Sequence, residues 1–128
     1  MTVPNPFVEC IIPILRVADL RASIDWYVNV LGFKRDWGAD DASPGMASAS
    51  RDGRAIMLFQ GAQGGPGTWV WIGVEDVERL YNELRGAGAR IVQGPTNYWW
   101  ALEIRVEDPD GHVLRFGSEP KDNRPLVR

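Results

Sequence analysis

The apolar positions of this chain fall into two copies of one pattern. Leu20, Ile24, Tyr27, Val28 and Leu31 share one face of a predicted helix, with Asp19 placed to cap it. Val77, Leu80, Tyr81 and Leu84 share a face of a second predicted helix, behind Asp76. Gly32 ends the first helix, and Gly86 and Gly88 end the second. An apolar strand over 7–17 precedes the first helix, and Thr68 to Val74 precedes the second. Phe33 to Trp37 and Ala89 to Val92 are short extended runs after each helix, and a loop spans Gly38 to Gly45. Two hairpins then close the copies. One joins Met46–Ser50 to Ala55–Gln60 through Asp52-Gly53, a favoured two-residue turn. The other joins Trp100–Val106 to Val113–Phe116 around Asp108-Pro109-Asp110-Gly111.

The two capping aspartates stand 57 residues apart and the two Asp-Gly turns 58 apart. An internal repeat of this kind constrains the fold before any single residue does. The predicted class is α+β, from two βαβββ modules at about 7–61 and 67–119. Gly61 to Gly67 forms the joining segment, and a polar tail over 120–128 runs along the surface.

Strand parity sorts the side chains by face. Ile56 and Leu58, Val70 and Ile72, and Leu114 and Phe116 suit packing under helices. Met57 and Phe59, Trp69 and Trp71, and Arg115 form the opposite set, joined by Glu103 between Leu102 and Ile104. Large aromatics with a charge suit a ligand-facing surface better than a helix-packed one.

Composition narrows the class of function. A chain of 128 residues with 45% hydrophobic content can build one core. No apolar run approaches the roughly 20 residues of a membrane span, and no signal-peptide pattern opens the chain. Cys10 is the only cysteine, so no disulfide forms within the chain, and the cytoplasm is the expected compartment. Net charge −3 without a Lys/Arg run disfavours nucleic acid. Six tryptophans are many for this length. Trp26 is expected in the core, and at least one of Trp99 and Trp100 is expected to be exposed.

Three segments carry a family resemblance: IIPILRVADLRASIDWYVNVLGF, GVEDVERLYNELRGAGARI and EDPDGHVLRFGSE. They resemble the vicinal oxygen chelate superfamily of glyoxalases, extradiol dioxygenases, and fosfomycin- and bleomycin-resistance proteins. The resemblance implies two βαβββ modules curled into a cup-shaped mixed sheet and paired in a homodimer. Metal-dependent members place ligands on the first and last strand of each module. The matching positions here are Ile12, Trp69, Met57 and Arg115, none of them an expected ligand of a divalent cation. His112, the only histidine, reads as a turn residue, as does the Asp108–Asp110 pair. No metal and no cofactor are therefore expected. Within the superfamily the bleomycin-resistance group is most similar, on Pro13, TWVWIGVEDVERLY and NYWWALEIRVEDPDGH. Trp100 matches that group's stacking tryptophan and Trp37 another cleft aromatic, while Ala42 stands where a second stacking aromatic would be.

The expected function is metal-free binding of a small planar ligand, a cation being the favoured case, in the manner of antibiotic sequestration. The candidate binding residues are Trp37, Met57, Phe59, Trp69, Trp71, Trp100, Glu103 and Arg115, with none assigned to catalysis. Glu103 and Arg115 either pair with each other or meet a ligand charge. The acidic loop at Asp40-Asp41 is either simply solvated or draws a cation toward Trp37. The alternative is a metal-independent lyase or isomerase with Glu103 as base and Arg115 as clamp. A third reading is an interaction module without a small ligand. Cys10, on an apolar segment without a histidine base, is expected to be a buried small residue.

Overall fold

Asp19 and Asp76 cap their helices as the spacing predicts. Each has an extended backbone, and its side chain accepts from the amide three residues on, Ala22 or Arg79, at 3.1 Å. Such a cap is worth about 1 kcal/mol. Helix α1 runs Leu20–Asn29 and α2 runs Val77–Gly86. The computed structural model describes residues 6–127, which contain these helices and eight strands. The strands are β1 (Ile14–Arg16), β2 (Lys34–Gly38), β3 (Met46–Arg51), β4 (Arg54–Phe59), β5 (Trp69–Gly73), β6 (Arg90–Asn97), β7 (Leu102–Glu107) and β8 (Val113–Ser118).

The strands form two four-stranded sheets, ordered β1-β4-β3-β2 and β5-β8-β7-β6. In each, the strand before the helix lies parallel to the last strand of its module, and the remaining neighbours are antiparallel. The fold is thus α+β with one βαβββ topology written twice. Register repeats too, Ile14 lying opposite Met57 and Trp71 opposite Arg115. The Asp52-Gly53 turn has positive φ at both residues, 53° and 77°, the geometry of the primed hairpin turn.

The helix-side parity set faces the core. Ile56, Leu58, Leu114 and Phe116 are buried beside Leu15, Tyr27, Leu31, Leu84 and Ile104, while Val70 and Ile72 pack against the same cluster half-buried. Trp26 is also half-buried there, edge-on to Tyr27.

The modules are joined through side chains at their turns. Tyr27 on α1 donates to Asp108 at 2.7 Å, and the Ala18 amide donates to Asp110 at 2.7 Å. His112 is fully buried and spans the joint. Its Nδ1 accepts from the Thr68 amide at 3.0 Å, which leaves Nε2 as the protonated nitrogen, 2.6 Å from the Arg16 carbonyl. Burial and the Asp108 carboxylate push the Tyr27 hydroxyl far above the ordinary phenol range. Arg51, beside the other turn, reaches Glu83 on α2 at 2.9 Å. Each module's turn therefore grips the other module's helix.

Three expectations are corrected. The strand expected over 7–17 is only Ile14–Arg16. Phe7 and Ile11 are 79% and 87% exposed, and Val8 is exposed with them. An apolar run becomes a strand only with a neighbour to pair with, and β4 offers this one only the register Ile14–Arg16. Cys10 lies on this arm and is exposed, not buried. The run expected over 89–92 extends through Arg90–Asn97, because β7 pairs along most of that length with register shifts after Ile91 and Gln93. The polar tail is tied to the end of β6, where the Asn97 side chain donates to the Lys121 carbonyl and accepts from the Lys121 amide, and Arg124 meets Glu78 at 2.7 Å.

Candidate functional site

On β7, Leu102 and Ile104 enter the core and Glu103 turns to the opposite face of the sheet. It is nevertheless 0% exposed, because three side chains roof it. Arg115, from the neighbouring strand β8, grips it with both arms: Nε lies 2.9 Å from Oε1 and Nη2 lies 3.0 Å from Oε2. Trp71 on β5 donates its indole N–H to Oε2 at 3.3 Å, and the Trp100 indole donates to the same oxygen. Of the two open readings of Glu103 and Arg115, the internal ion pair is the one present. Burial pushes the Glu103 carboxyl upward, but the hydrogen bonds from Arg115, Trp100 and Trp71 outweigh it and hold the group below the ordinary carboxylate value. The Glu103 hydrogen bond in turn holds the Arg115 guanidinium above its own.

Two indoles are thereby anchored by their N–H edges while their rings stay accessible. Trp71 lies flat on the strands beneath it. A Cβ added at Gly117 would come within 2.7 Å of its ring, and one at Gly73 within 3.0 Å, so the bare glycines make room for the indole. Trp71 remains 51% exposed. Trp100 lies in the turn between β6 and β7 and stacks on Tyr98, with centroids 4.4 Å apart and planes 8° off parallel. Trp99 meets it edge-on. The Tyr98 hydroxyl accepts from Gln93 at 2.9 Å, which fixes the lower ring of the stack. Trp69, also about half exposed, has the Arg105 guanidinium 5.4 Å from its ring centroid, within cation–π range.

Trp71, Trp100, Glu103 and Arg115 are therefore brought together directly, with Trp69 on the same strand as Trp71. Trp37, Met57 and Phe59 lie on the other sheet. There, register shifts between Arg35 and Trp37, Asp36 accepts from Ser48 and Ser50, and Trp37 is exposed opposite Ser48. Phe59 pairs with Met46, and Met57 with Ser48. Among the described residues no hydrogen bond, ring contact or strand pairing links this group to the indoles of the second sheet. The indoles line an open face; a hollow of about 440 Å³ beside α1 and β2 is bordered by Arg21, Asp25, Phe33 and Lys34 and by none of the site residues.

Four contributors escaped the sequence reading: Tyr98, Arg105, Gly73 and Gly117. Parity held a signal for three of them. Arg105 stands two residues beyond Glu103, Gly73 two beyond Trp71, and Gly117 two beyond Arg115. Tyr98 adjoins the Trp99-Trp100 pair, but its stacking depends on the turn.

The positions at which metal-dependent relatives carry ligands do not fit a divalent ion. Met57 and Arg115 face Ile14 and Trp71 in register, with Ile12 and Trp69 two residues earlier. The only charged side chain of the set is a guanidinium, which has no lone pair to give and repels a cation. No cluster of three His, Cys, Asp or Glu occurs among the described residues.

The same arrangement of strands and helices occurs in proteins of known structure. TioX from Micromonospora sp. superposes with a TM-score of 0.76 at 24% identity, covering 88% of this chain and 99% of its own. TnmS3, an antibiotic binding protein from Streptomyces sp., superposes with a TM-score of 0.72 at 20% identity, covering 91% and 100%. At these identities the likeness is one of fold. A probable lactoylglutathione lyase from Synechocystis sp. is 22% identical over 116 residues, 80% of this chain and 88% of the relative. Residues 7–116 match the glyoxalase/bleomycin resistance protein/dioxygenase superfamily, and with the two βαβββ modules described above, the chain belongs to that family.

Proposed function

We propose that this protein binds and sequesters a planar aromatic small molecule, an antibiotic of the bleomycin-resistance type, without transforming it. The observation that carries this reading is the anchoring of Trp71 and Trp100 on one buried carboxylate. Their N–H groups are used inward, so each offers a ligand its ring face. Stacking on an aromatic face contributes about 1–3 kcal/mol per ring. The antibiotic-binding character of TnmS3, a relative in fold, agrees with it.

The same geometry weighs against the lyase or isomerase reading. A general base needs a free lone pair within reach of the substrate proton. Glu103 is fully buried and already accepts four hydrogen bonds, three of them on Oε2. The similarity to a probable lactoylglutathione lyase concerns a chemistry for which neither Glu103 nor the positions Met57 and Arg115 are equipped.

The functional unit we propose is a homodimer. The apolar arm with Phe7, Val8 and Ile11 is exposed, and Trp37, Met57 and Phe59 lie apart from the indoles of their own chain. A second copy would cover the arm and bring a first-sheet wall to the second-sheet indoles. Titration of the protein with bleomycin and a panel of flat heteroaromatic antibiotics, read by tryptophan quenching, tests the binding claim. Saturable quenching with the compound recovered unchanged is expected; no quenching by any of them, or conversion of the compound, refutes it. Sedimentation equilibrium at micromolar protein should give twice the 14.3 kDa chain mass.

A further inference from the structure

One row of cross-strand neighbours on the second sheet runs Trp71, Arg115, Arg105, Gln93. It sets two guanidinium groups directly opposite each other, an arrangement that destabilises a sheet unless the charges are compensated. Arg115 is compensated by Glu103. Arg105 meets no carboxylate within 4 Å among the described residues. Glu107, two residues along the same face, pairs with Arg90 at 3.6 Å, and the Gln93 amide is turned to Tyr98. The Arg105 Nε is buried without a hydrogen-bond partner, and the guanidinium rests over the exposed Trp69 ring. A half-buried cation with an orphaned N–H is costly to keep. An arriving anion would compensate the charge from the Nη side, since Nε itself is closed off, and the two Nη groups match a carboxylate in two parallel hydrogen bonds.

We propose that Arg105 is a ligand-recognition residue that takes a carboxylate, or an equally acidic oxygen, on the rim of the aromatic molecule stacked on the neighbouring indoles. The inference rests on the stacking function proposed above and names the ligand class, an aromatic acid. It reverses the sign that net charge −3 and the Asp40-Asp41 loop suggest. The carboxylate held under the indoles is neutralised by Arg115, so the uncompensated charge beside them is positive.

The test uses two probes of one shape, an anthracenecarboxylate and the matching primary carboxamide, titrated calorimetrically into the full-length protein. The carboxylate should bind about tenfold to a hundredfold more tightly, the range expected of a charge-assisted hydrogen bond, and this preference should shrink as salt is added. Arg105→Gln should abolish the preference by weakening the carboxylate far more than the carboxamide, while Arg105→Lys should keep part of it. Equal affinity of the two probes for the wild type, or a preference that survives Arg105→Gln, overturns the inference and leaves stacking intact. If neither probe binds, the sequestration reading falls and takes this one with it. Should Arg105→Gln not fold, the wild-type comparison and Arg105→Lys decide.

Discussion

Replacing Glu103 by Gln tests whether one carboxylate holds the aromatic face together. Gln keeps the shape and one acceptor oxygen. Turned toward the Oε2 position, that oxygen still accepts from Trp71, Trp100 and Arg115 Nη2, the three donors found there. The new amide then faces Arg115 Nε, donor against donor, where a 2.9 Å ion-pair contact stood. Turned the other way, it opposes both indoles and Nη2. Breaking one side of a fully buried pair costs about 3–5 kcal/mol. The Arg115 side chain is 28% exposed and can regain water, so the expected loss is about 2–3 kcal/mol. Urea unfolding should show a lower midpoint with an unchanged slope, since the buried area does not change. Near-UV circular dichroism should weaken as Trp71 and Trp100 lose a charged acceptor. A variant within about 0.5 kcal/mol of wild type, the scale of an ordinary surface change, and with the same indole spectrum would refute the reasoning.

Acid should report on the same group. The folded pKa of Glu103 lies below its unfolded value near 4.5, so its stabilising contribution is complete above that pH and is lost as pH falls through the folded value. Denaturation midpoints from pH 7 to 2 should show a steeper acid limb for wild type than for Glu103→Gln; parallel limbs would contradict the assignment. Trp100→Phe should keep ligand quenching while lowering stability by about 1 kcal/mol, through the lost N–H donor, and Trp100→Ala should weaken binding about 5- to 150-fold. A Trp100→Ala variant with unaltered affinity removes Trp100 from the site. Gly117→Ala should displace Trp71 and weaken binding, with stability nearly unchanged, because Ala is entropically favoured in a strand and offsets the lost Trp71–Glu103 bond. A crystal structure of the Gly117→Ala variant with Trp71 still flat on β5 and β8 would disprove the packing argument.

Local chemistry made most of the fold legible. Helix periodicity, the Asp19 and Asp76 caps and the Asp52-Gly53 turn are written within a few residues of where they act. Parity alone placed Glu103 and Arg115 on one face, and the pair is there. What stayed hidden depends on residues distant in sequence. Whether 7–13 forms a strand is decided by what lies beside it, and β4 pairs only with Ile14–Arg16 beyond it. The flat seat of Trp71 needs Gly73 and Gly117, which come together only when β5 pairs with β8. His112 reads as a turn residue, but it stands just after the turn with its ring buried, and its role across the joint requires Arg16, 96 positions away.

The doubled βαβββ plan has a consequence for how such a protein can change. Equivalent positions on the helix side are aliphatic or aromatic in both halves: Ile56 answers Leu114, and Leu58 answers Phe116. On the opposite side the halves differ, Met57 against Arg115 and Ile14 against Trp71, although each pair holds the same register. The core packing thus repeats on one surface of each sheet, while the other differs between the halves and carries the buried Glu103–Arg115 pair in the second alone. Exposed positions on that surface, such as Trp69 and Trp71, can be exchanged without repacking the core beneath the helices.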